Sequence, residues 1–319
     1  MKKTIFINIF VLINLLIIIE IFFRYGLNVN TQGISKDLIN QNNQFIFNNT
    51  NLSTAKAFGT TIYTDRNGFR ISKNQKYLKS KTALFIGGSV TFGPAVSAEN
   101  TFVGILDKKT NYNVFNASVF GSNLENNIKI FKNFYDFGTE RVFISLAFDD
   151  LSTQTQLNTT NIDDNIRSSS IIDKLKSKSL IRIINDFLRS KSSTYVFAKT
   201  YFTNSAKRYY YNDLKKFENS EIVSESFKIL DQLNNNKNII TFYILPYAEQ
   251  ITINGCKKYD LAEQQFIDQL NKRNYKFIFF KDLFCREKNP SKFYLKNDHA
   301  HLSEEGHKFV SNIFIKYLD

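Results

Sequence analysis

The chain contains very little histidine and no tryptophan. Its 319 residues include three histidines and two cysteines, beside 32 phenylalanines and 16 tyrosines. Phenylalanine therefore supplies most of the aromatic volume available to a core. All three histidines lie between His299 and His307. Because histidine is the side chain that exchanges protons most readily near neutral pH, this C-terminal segment is predicted to carry out chemistry.

The two cysteines, Cys256 and Cys285, are not part of a C-x-x-C pair, which argues against a zinc ribbon. In an oxidising compartment they could form one disulfide. In a reducing compartment they would be two unrelated buried thiols, and the sequence leaves both alternatives open.

Acidic residues are fewer than basic ones, and the formal net charge is +13. The lysines are scattered and form no tight basic run, so a nucleic-acid partner is not predicted. A weak affinity for anionic surfaces or acidic polysaccharide is compatible with this charge.

The N-terminus carries one long apolar run, residues 5–23, which only Asn8, Asn14 and Glu20 interrupt. A helix of this length roughly matches the hydrocarbon core of a bilayer, about 30 Å. Lysines precede the run and Arg24 follows it, which favours a cytoplasmic N-terminus.

A cleaved signal peptide would end in a small-x-small site, and this run ends instead in Phe22-Phe23-Arg24-Tyr25. Residues 1–25 are therefore predicted to be an uncleaved signal anchor. The remainder is then periplasmic or extracellular, with a polar linker over 26–60 and a folded domain over 61–319.

Apolar runs alternate with helical patterns in the folded domain, which predicts a parallel sheet covered on both faces. The predicted strands are 82–87, 112–117, 141–148, 239–245 and 275–280. A helical insertion is expected at about 152–236. Sites in such sheets form at the carboxyl ends of strands, where Ser89, Gly121 and Asp149 lie.

The glycine-rich segment around Ser89 does not match three common glycine-containing motifs. Pro94 follows Gly93, where a phosphate-binding loop needs lysine and a hydroxyl residue. No G-x-G-x-x-G pattern is present, and Thr91 stands where G-x-S-x-G needs glycine. The remaining set is a serine nucleophile with a distant Asp298-x-x-His301 pair, which an acyl-transfer site requires.

A resemblance to the SGNH (GDSL-like) hydrolase superfamily extends over residues 61–319. The four blocks that carry it are residues 85–93 (FIGGSVTFG), 116–121 (NASVFG), 147–151 (AFDDL) and 298–307 (DHAHLSEEGH). It implies a three-layer α/β/α flavodoxin-like sandwich with a five-stranded parallel sheet. It also implies Ser89 as nucleophile, His301 as base and Asp298 as the residue that orients His301.

The same resemblance implies an oxyanion hole built from the amides of Ser89 and Gly121 and the side chain at position 149. Asp149 stands where the family has asparagine, and an ionised carboxylate repels a developing alkoxide. Losing one donor costs about 2.7–4 kcal/mol of transition-state stabilisation. A protonated Asp149 could donate if burial raises its pKa, so the enzyme is expected to be weak or active mainly in acid.

Residues 63–70 resemble the Asn-x-x-Gly-Phe-Arg segment of membrane-anchored, extracytoplasmic members, many of which act on acyl groups of surface polysaccharides. A glycine-centred turn at the domain edge is an equally good interpretation. The resulting prediction is an anchored serine esterase or acyltransferase acting on O-acyl groups, expected to be O-acetyl, of a cell-surface carbohydrate. The alternative is a catalytically impaired module that binds glycan or an envelope complex.

The histidines could also gather around zinc together with Asp298. His299 and His301 are two apart in an extended stretch, however, so they are expected to point to opposite faces. The sequence therefore predicts no metal and no cofactor.

Overall fold

The computed structural model describes residues 2–41, 46–135, 138–148, 179–203, 216–252 and 254–318. Asp149 and much of the predicted insertion, residues 149–178 and 204–215, lie outside the described residues.

Most of the described residues belong to short strands and helices. The strands, numbered β1 to β11 in chain order, are Ile39–Gln41, Ile46–Asn48, Lys56–Ala57, Thr60–Thr61, Tyr63–Thr64, Arg70–Ile71, Lys81–Ile86, Tyr112–Asn116, Arg141–Ser145, Ile240–Ile244 and Lys276–Phe279. The α-helices, numbered α1 to α10, are Lys2–Ile21, Ser89–Phe92, Phe102–Lys109, Leu124–Phe134, Ser179–Lys191, Ser193–Thr203, Ser220–Lys228, Leu261–Lys272, Phe280–Cys285 and Glu304–Leu318. The 3-10 turns are Ala98–Asn100, Ile229–Asn236, Ala248–Ile251, Gly255–Lys257 and Pro290–Phe293, and a π-helical turn spans Phe22–Gly26.

The central sheet has seven strands in the order β11-β10-β9-β7-β8-β6-β5. Strands β7 to β11 pair in parallel, and their order β8-β7-β9-β10-β11 is that of flavodoxin-like folds. The predicted α/β class and parallel sheet are confirmed. The predicted strand count of five omits β5 and β6, which pair antiparallel at the β8 edge.

Each face of the sheet is covered by helices because the strands are apolar on both faces. In β7, Leu84 and Ile86 pack on one side with α4, α7 and α8. Ala83 and Phe85 pack on the other side with α3, α9 and α10. The two clusters make the three layers that the sequence predicts.

Within the part of the chain that the structure describes, the N-terminal helix α1 is exposed along most of its length. The segment Lys3–Gly26 has a mean hydropathy of 2.8 over its most apolar part, and by length and composition it could cross a membrane. A signal sequence would meet the same criteria.

The segment predicted as a polar linker, 26–60, instead packs on the domain along much of its length. Leu38, Ala57 and Phe58 are buried in one cluster with Phe92 and Phe120, beside the β3–β4 pair. The prediction was wrong here because a few apolar residues at suitable positions outweigh a polar average composition.

The structure also decides between the two alternatives for the cysteines. Cys256 and Cys285 form a disulfide, with their Cα atoms 5.6 Å apart. This spacing lies within the normal range for disulfides.

Candidate active site

The loop that carries Ser89 turns sharply at Gly87. Only glycine fits at this position, because neighbouring side chains fill the space that a Cβ atom would occupy. A Cβ atom at Gly87 would lie 2.4 Å from the Thr91 Oγ1 atom and 2.7 Å from the Ser145 Cβ atom. The chain passes from β7 through Gly87 and begins α2 at Ser89. Gly93 ends this short helix with a φ of 73°, in the left-handed region. Ser89 is thereby displayed at the carboxyl end of a central strand.

Ser89, His301 and Asp298 lie in one hydrogen-bonded chain. The Ser89 Oγ and His301 Nε2 atoms are 2.9 Å apart although the residues are 212 positions apart in sequence. The His301 Nδ1 atom lies 2.9 Å from Asp298 Oδ2 and 3.0 Å from Oδ1. When Nδ1 carries the proton and donates to Asp298, Nε2 is left to accept the proton of the Ser89 hydroxyl.

Asp298 is held as a buried carboxylate. Its Oδ1 atom accepts the backbone N–H groups of Ala300 and His301, each at 2.9 Å. Burial alone would raise the pKa of Asp298, but the charge and hydrogen bond of His301 outweigh it, so the pKa lies below its ordinary value. The ionised group can orient the imidazole and stabilise its protonated form.

Two phenylalanine rings pack beside the His301 ring. The Phe58 ring meets it edge-on with the centroids 5.1 Å apart, and the Phe120 ring lies 6.3 Å away. Phe58 has a φ of 50°, which is uncommon for a bulky residue. Sequence reasoning missed Phe58 because it lies in the polar segment. The only signal was an isolated aromatic residue before Gly59.

Gly121 lies beside the nucleophile loop because two backbone hydrogen bonds join the second block to the first. Ala117 and Val119 donate to the carbonyls of Phe85 and Gly87, each at 2.9 Å. Gly121 has a φ of 69°, and among the described residues, its chain neighbours aside, no atom lies within 4 Å of the position that a Cβ would occupy. That the amides of Ser89 and Gly121 donate to the oxyanion is still a prediction. Asp149 lies outside the described residues.

Arg70 supports the segment that follows Ser89. Its buried guanidinium donates to the carbonyls of Phe92, Gly93 and Val96 and lies 4.8 Å over the Phe92 ring. Burial lowers the pKa of Arg70 to about 9, which leaves it charged at neutral pH. The 63–70 segment thus contributes a side chain that holds the loop behind the nucleophile.

The turn that presents Arg70 is centred on Gly68, with a φ of 79°. The Asp65 carboxylate accepts the backbone N–H groups of Asn67 and Phe69, at 2.8 and 2.9 Å. The alternative interpretation, a glycine-centred turn, is therefore correct in geometry, and the turn also has a structural task.

The other two histidines lie outside the hydrogen-bonded chain. His307 is buried, and its Nδ1 atom accepts the N–H of Phe102 at 3.2 Å. Burial lowers the pKa of His307 to about 3, and the charge of Arg70 acts in the same direction. The His299 ring lies 6.5 Å from that of His301 and 6.0 Å from Tyr247. Within the described ranges, no group of His, Cys, Asp and Glu side chains could hold a metal ion.

No protein-family model matches the chain, and no curated protein matches it. Solved structures similar to it include a lipase/acylhydrolase from Enterococcus faecalis, with 13% identity and a TM-score of 0.43, over 74% of this chain and 94% of that one. A G-D-S-L family lipolytic protein from Veillonella parvula has 14% identity and a TM-score of 0.40, over 74% and 97%. A catalytic mutant of an acetylxylan esterase from Geobacillus stearothermophilus has 12% identity and a TM-score of 0.38, over 76% and 96%.

Proposed function

We propose that the chain is a serine hydrolase of the SGNH type that cleaves or transfers acyl groups. The observation that carries this proposal is the relay from Ser89 through His301 to Asp298, with 2.9 Å at each step. A serine activated by a histidine that a buried carboxylate orients is the arrangement that acyl transfer requires.

The relay supports a two-step reaction. The Ser89 Oγ atom attacks the ester carbonyl while His301 Nε2 takes its proton and then delivers it to the leaving alcohol. The acyl group is left on Ser89. Water or a sugar hydroxyl, deprotonated by His301, then attacks the acyl carbon, and His301 returns that proton to the departing Ser89 Oγ atom. The amides of Ser89 and Gly121 are the proposed donors to the oxyanion, and Asp149 would join them only when protonated.

The proposed substrate is an O-acyl, preferentially O-acetyl, group on a cell-surface carbohydrate. The rings of Phe58 and Phe120 beside His301 favour a small acyl group, since they occupy space next to the base. The helix α1 and the disulfide favour an anchored enzyme that faces the periplasm or exterior, where disulfides persist.

Hydrolysis of p-nitrophenyl acetate and p-nitrophenyl octanoate, and acetate release from an acetylated polysaccharide, test this proposal. We expect the acetyl ester to be preferred and Ser89→Ala to abolish both reactions. Equal turnover of the two esters would contradict the acetyl preference. Turnover that Ser89→Ala leaves intact would contradict the mechanism.

A second candidate is a glycan-binding module without turnover. The sequence observation that favours it is Asp149 at the position where the resemblance has asparagine. Binding of the acetylated polysaccharide without acetate release, at neutral and at acidic pH, would support this candidate over the enzyme.

A further inference from the structure

Helix α6 is fastened to the end of the apolar helix α1 by Glu20. The Glu20 carboxylate accepts the backbone N–H groups of Ser193 and Thr194, at 2.7 and 3.0 Å, and the Ser192 hydroxyl at 2.9 Å. The first N–H groups of a helix have no acceptor within that helix. Glu20 therefore caps α6 from a different element and fixes its position beside α1.

Further hydrogen bonds join α5 to the segment that follows α1. Arg24, which is paired with Glu20 at 2.8 Å, also donates to the Lys191 carbonyl at 2.7 Å. Gln32 donates to the Arg189 carbonyl at 2.9 Å, and the Arg189 guanidinium returns a bond to the Gln32 side chain at 3.0 Å. The α5–α6 pair is thus joined to the outer end of α1 at several points.

A run of aromatic rings connects the end of α1 with the surface of α6. Phe23 packs against Phe197 with centroids 4.5 Å apart, and Phe197 stacks on Tyr201 at 6.1 Å. Tyr201 contacts Phe202 at 5.4 Å. Tyr201 and Phe202 are 72% and 83% exposed, which is unusual for large aromatic side chains away from an interface.

Helix α5 exposes an apolar face of its own. Ile183, Ile184 and Phe187 are exposed and lie on one side of the helix, since their spacing is i, i+1 and i+4. The two helices also contain more basic than acidic residues, and Lys191 is exposed. An amphipathic, basic helix with isoleucine and phenylalanine on its apolar face is typical of segments that lie in the membrane interface.

We propose that α5 and α6 lie in the headgroup region of the bilayer that α1 enters, with Ile183, Ile184, Phe187, Tyr201 and Phe202 in contact with lipid. The aromatic run on α6 begins at Phe23, next to the end of α1, and the net charge of +13 suits an anionic leaflet. The inference rests on the anchoring part of the proposed function and is independent of the esterase chemistry. Its consequence is a catalytic domain held at a set height above the bilayer.

The chain contains no tryptophan, so a single introduced tryptophan is a clean reporter. Phe202→Trp and Phe187→Trp, each in the full chain, are reconstituted in vesicles of phosphatidylethanolamine and phosphatidylglycerol with brominated acyl chains. Phe10→Trp within α1 reports on the anchoring itself. Leu78→Trp, at an apolar residue that is 84% exposed in the catalytic domain, is the matched control.

We expect Phe202→Trp and Phe187→Trp to lose fluorescence most with bromines near the ester carbonyls, because an interfacial helix lies only about 5–10 Å deep. Leu78→Trp should not be quenched. Quenching of Phe10→Trp alone would overturn the proposal while leaving the anchor intact. That result is expected if a protein partner, and not lipid, covers this face. Quenching of Leu78→Trp to the same extent would show non-specific adsorption. An unquenched Phe10→Trp would show that α1 does not enter the bilayer. Either result overturns the proposal.

Discussion

The Asp298 carboxylate lies 2.9 Å from His301 Nδ1, and we infer that it sets which nitrogen of the ring carries the proton. The same carboxylate accepts two backbone N–H groups, so the loop also depends on it. The D-x-x-H spacing made this pair visible in the sequence. The short distance between His301 and Ser89 was not visible in the sequence, because it results from the packing of α10 and its preceding loop against the sheet.

Asp298→Asn is expected to lower kcat by about 10⁴-fold, the effect of the equivalent change in a serine protease triad. The asparagine carbonyl can still accept from the backbone, but its NH₂ donates to Nδ1, so the proton moves to Nε2 and Ser89 loses its acceptor. Ester hydrolysis checks the rate, and an unchanged Tm serves as the control for folding. A loss below about tenfold would contradict the orienting role.

Asp149→Asn is expected to raise esterase turnover at neutral pH, by up to about 10²–10³-fold, because an amide donates to the oxyanion where a carboxylate repels it. Asp150→Asn is the matched control and should leave turnover unchanged. If Asp149→Asn is no faster than wild type while Ser89→Ala abolishes activity, Asp149 does not belong to the oxyanion hole.

Phe58 shows what residue patterns do not reveal. Its position beside His301 depends on a left-handed backbone conformation and on contacts with Phe92 and Phe120, all in segments distant from His301 in sequence. None of these contacts produces a local pattern. A contribution of this kind becomes visible only when the chain is folded.

Among the elements, the long apolar strands were predictable and the two-residue strands were not. Strands such as β7 are buried on both faces and therefore read as continuous apolar runs. Strands β5 and β6 are too short to show alternation, and they exist because β8 offers a free edge. Arg70 lies in β6, so this added edge of the sheet brings its guanidinium to the segment that follows Ser89.

The contact between α10 and α3 behind that loop predicts a pH dependence of stability. Burial lowers the pKa of His307 to about 3, whereas an unfolded histidine has a pKa of about 6.5. The unfolded state therefore binds the proton more readily. The stabilisation from neutral His307 is complete above pH about 6.5 and is lost as the pH falls towards about 3.

Urea unfolding between pH about 7 and about 5 measures this dependence, above the range in which Asp298 loses its own contribution. We expect the unfolding free energy of the wild type to fall across the range, and that of His307→Gln to fall less steeply. Equal slopes for the two proteins would contradict the assignment to His307.

At the scale of the whole molecule, the disulfide links the 3-10 turn at Gly255–Lys257 to the end of α9. The sequence left its formation open because cysteine spacing does not report the distance between Cα atoms. Closure of a loop of 29 residues is expected to stabilise the fold by about 3–4 kcal/mol.

Reduction should therefore lower the unfolding free energy of the wild type by about this amount in urea titrations. The double variant Cys256→Ser/Cys285→Ser should show the lower stability without reductant and no further change with it. A wild type whose stability is unchanged after complete reduction, verified by thiol titration, would contradict a stabilising role.

The whole account depends on Ser89 being a nucleophile that His301 activates. The most direct test is reaction of the full chain with a fluorophosphonate, followed by mass spectrometry of the labelled peptides. We predict stoichiometric modification of Ser89 that His301→Ala slows strongly and Ser89→Ala removes. Absence of labelling, or labelling at another serine while Ser89 stays unmodified, would contradict the account.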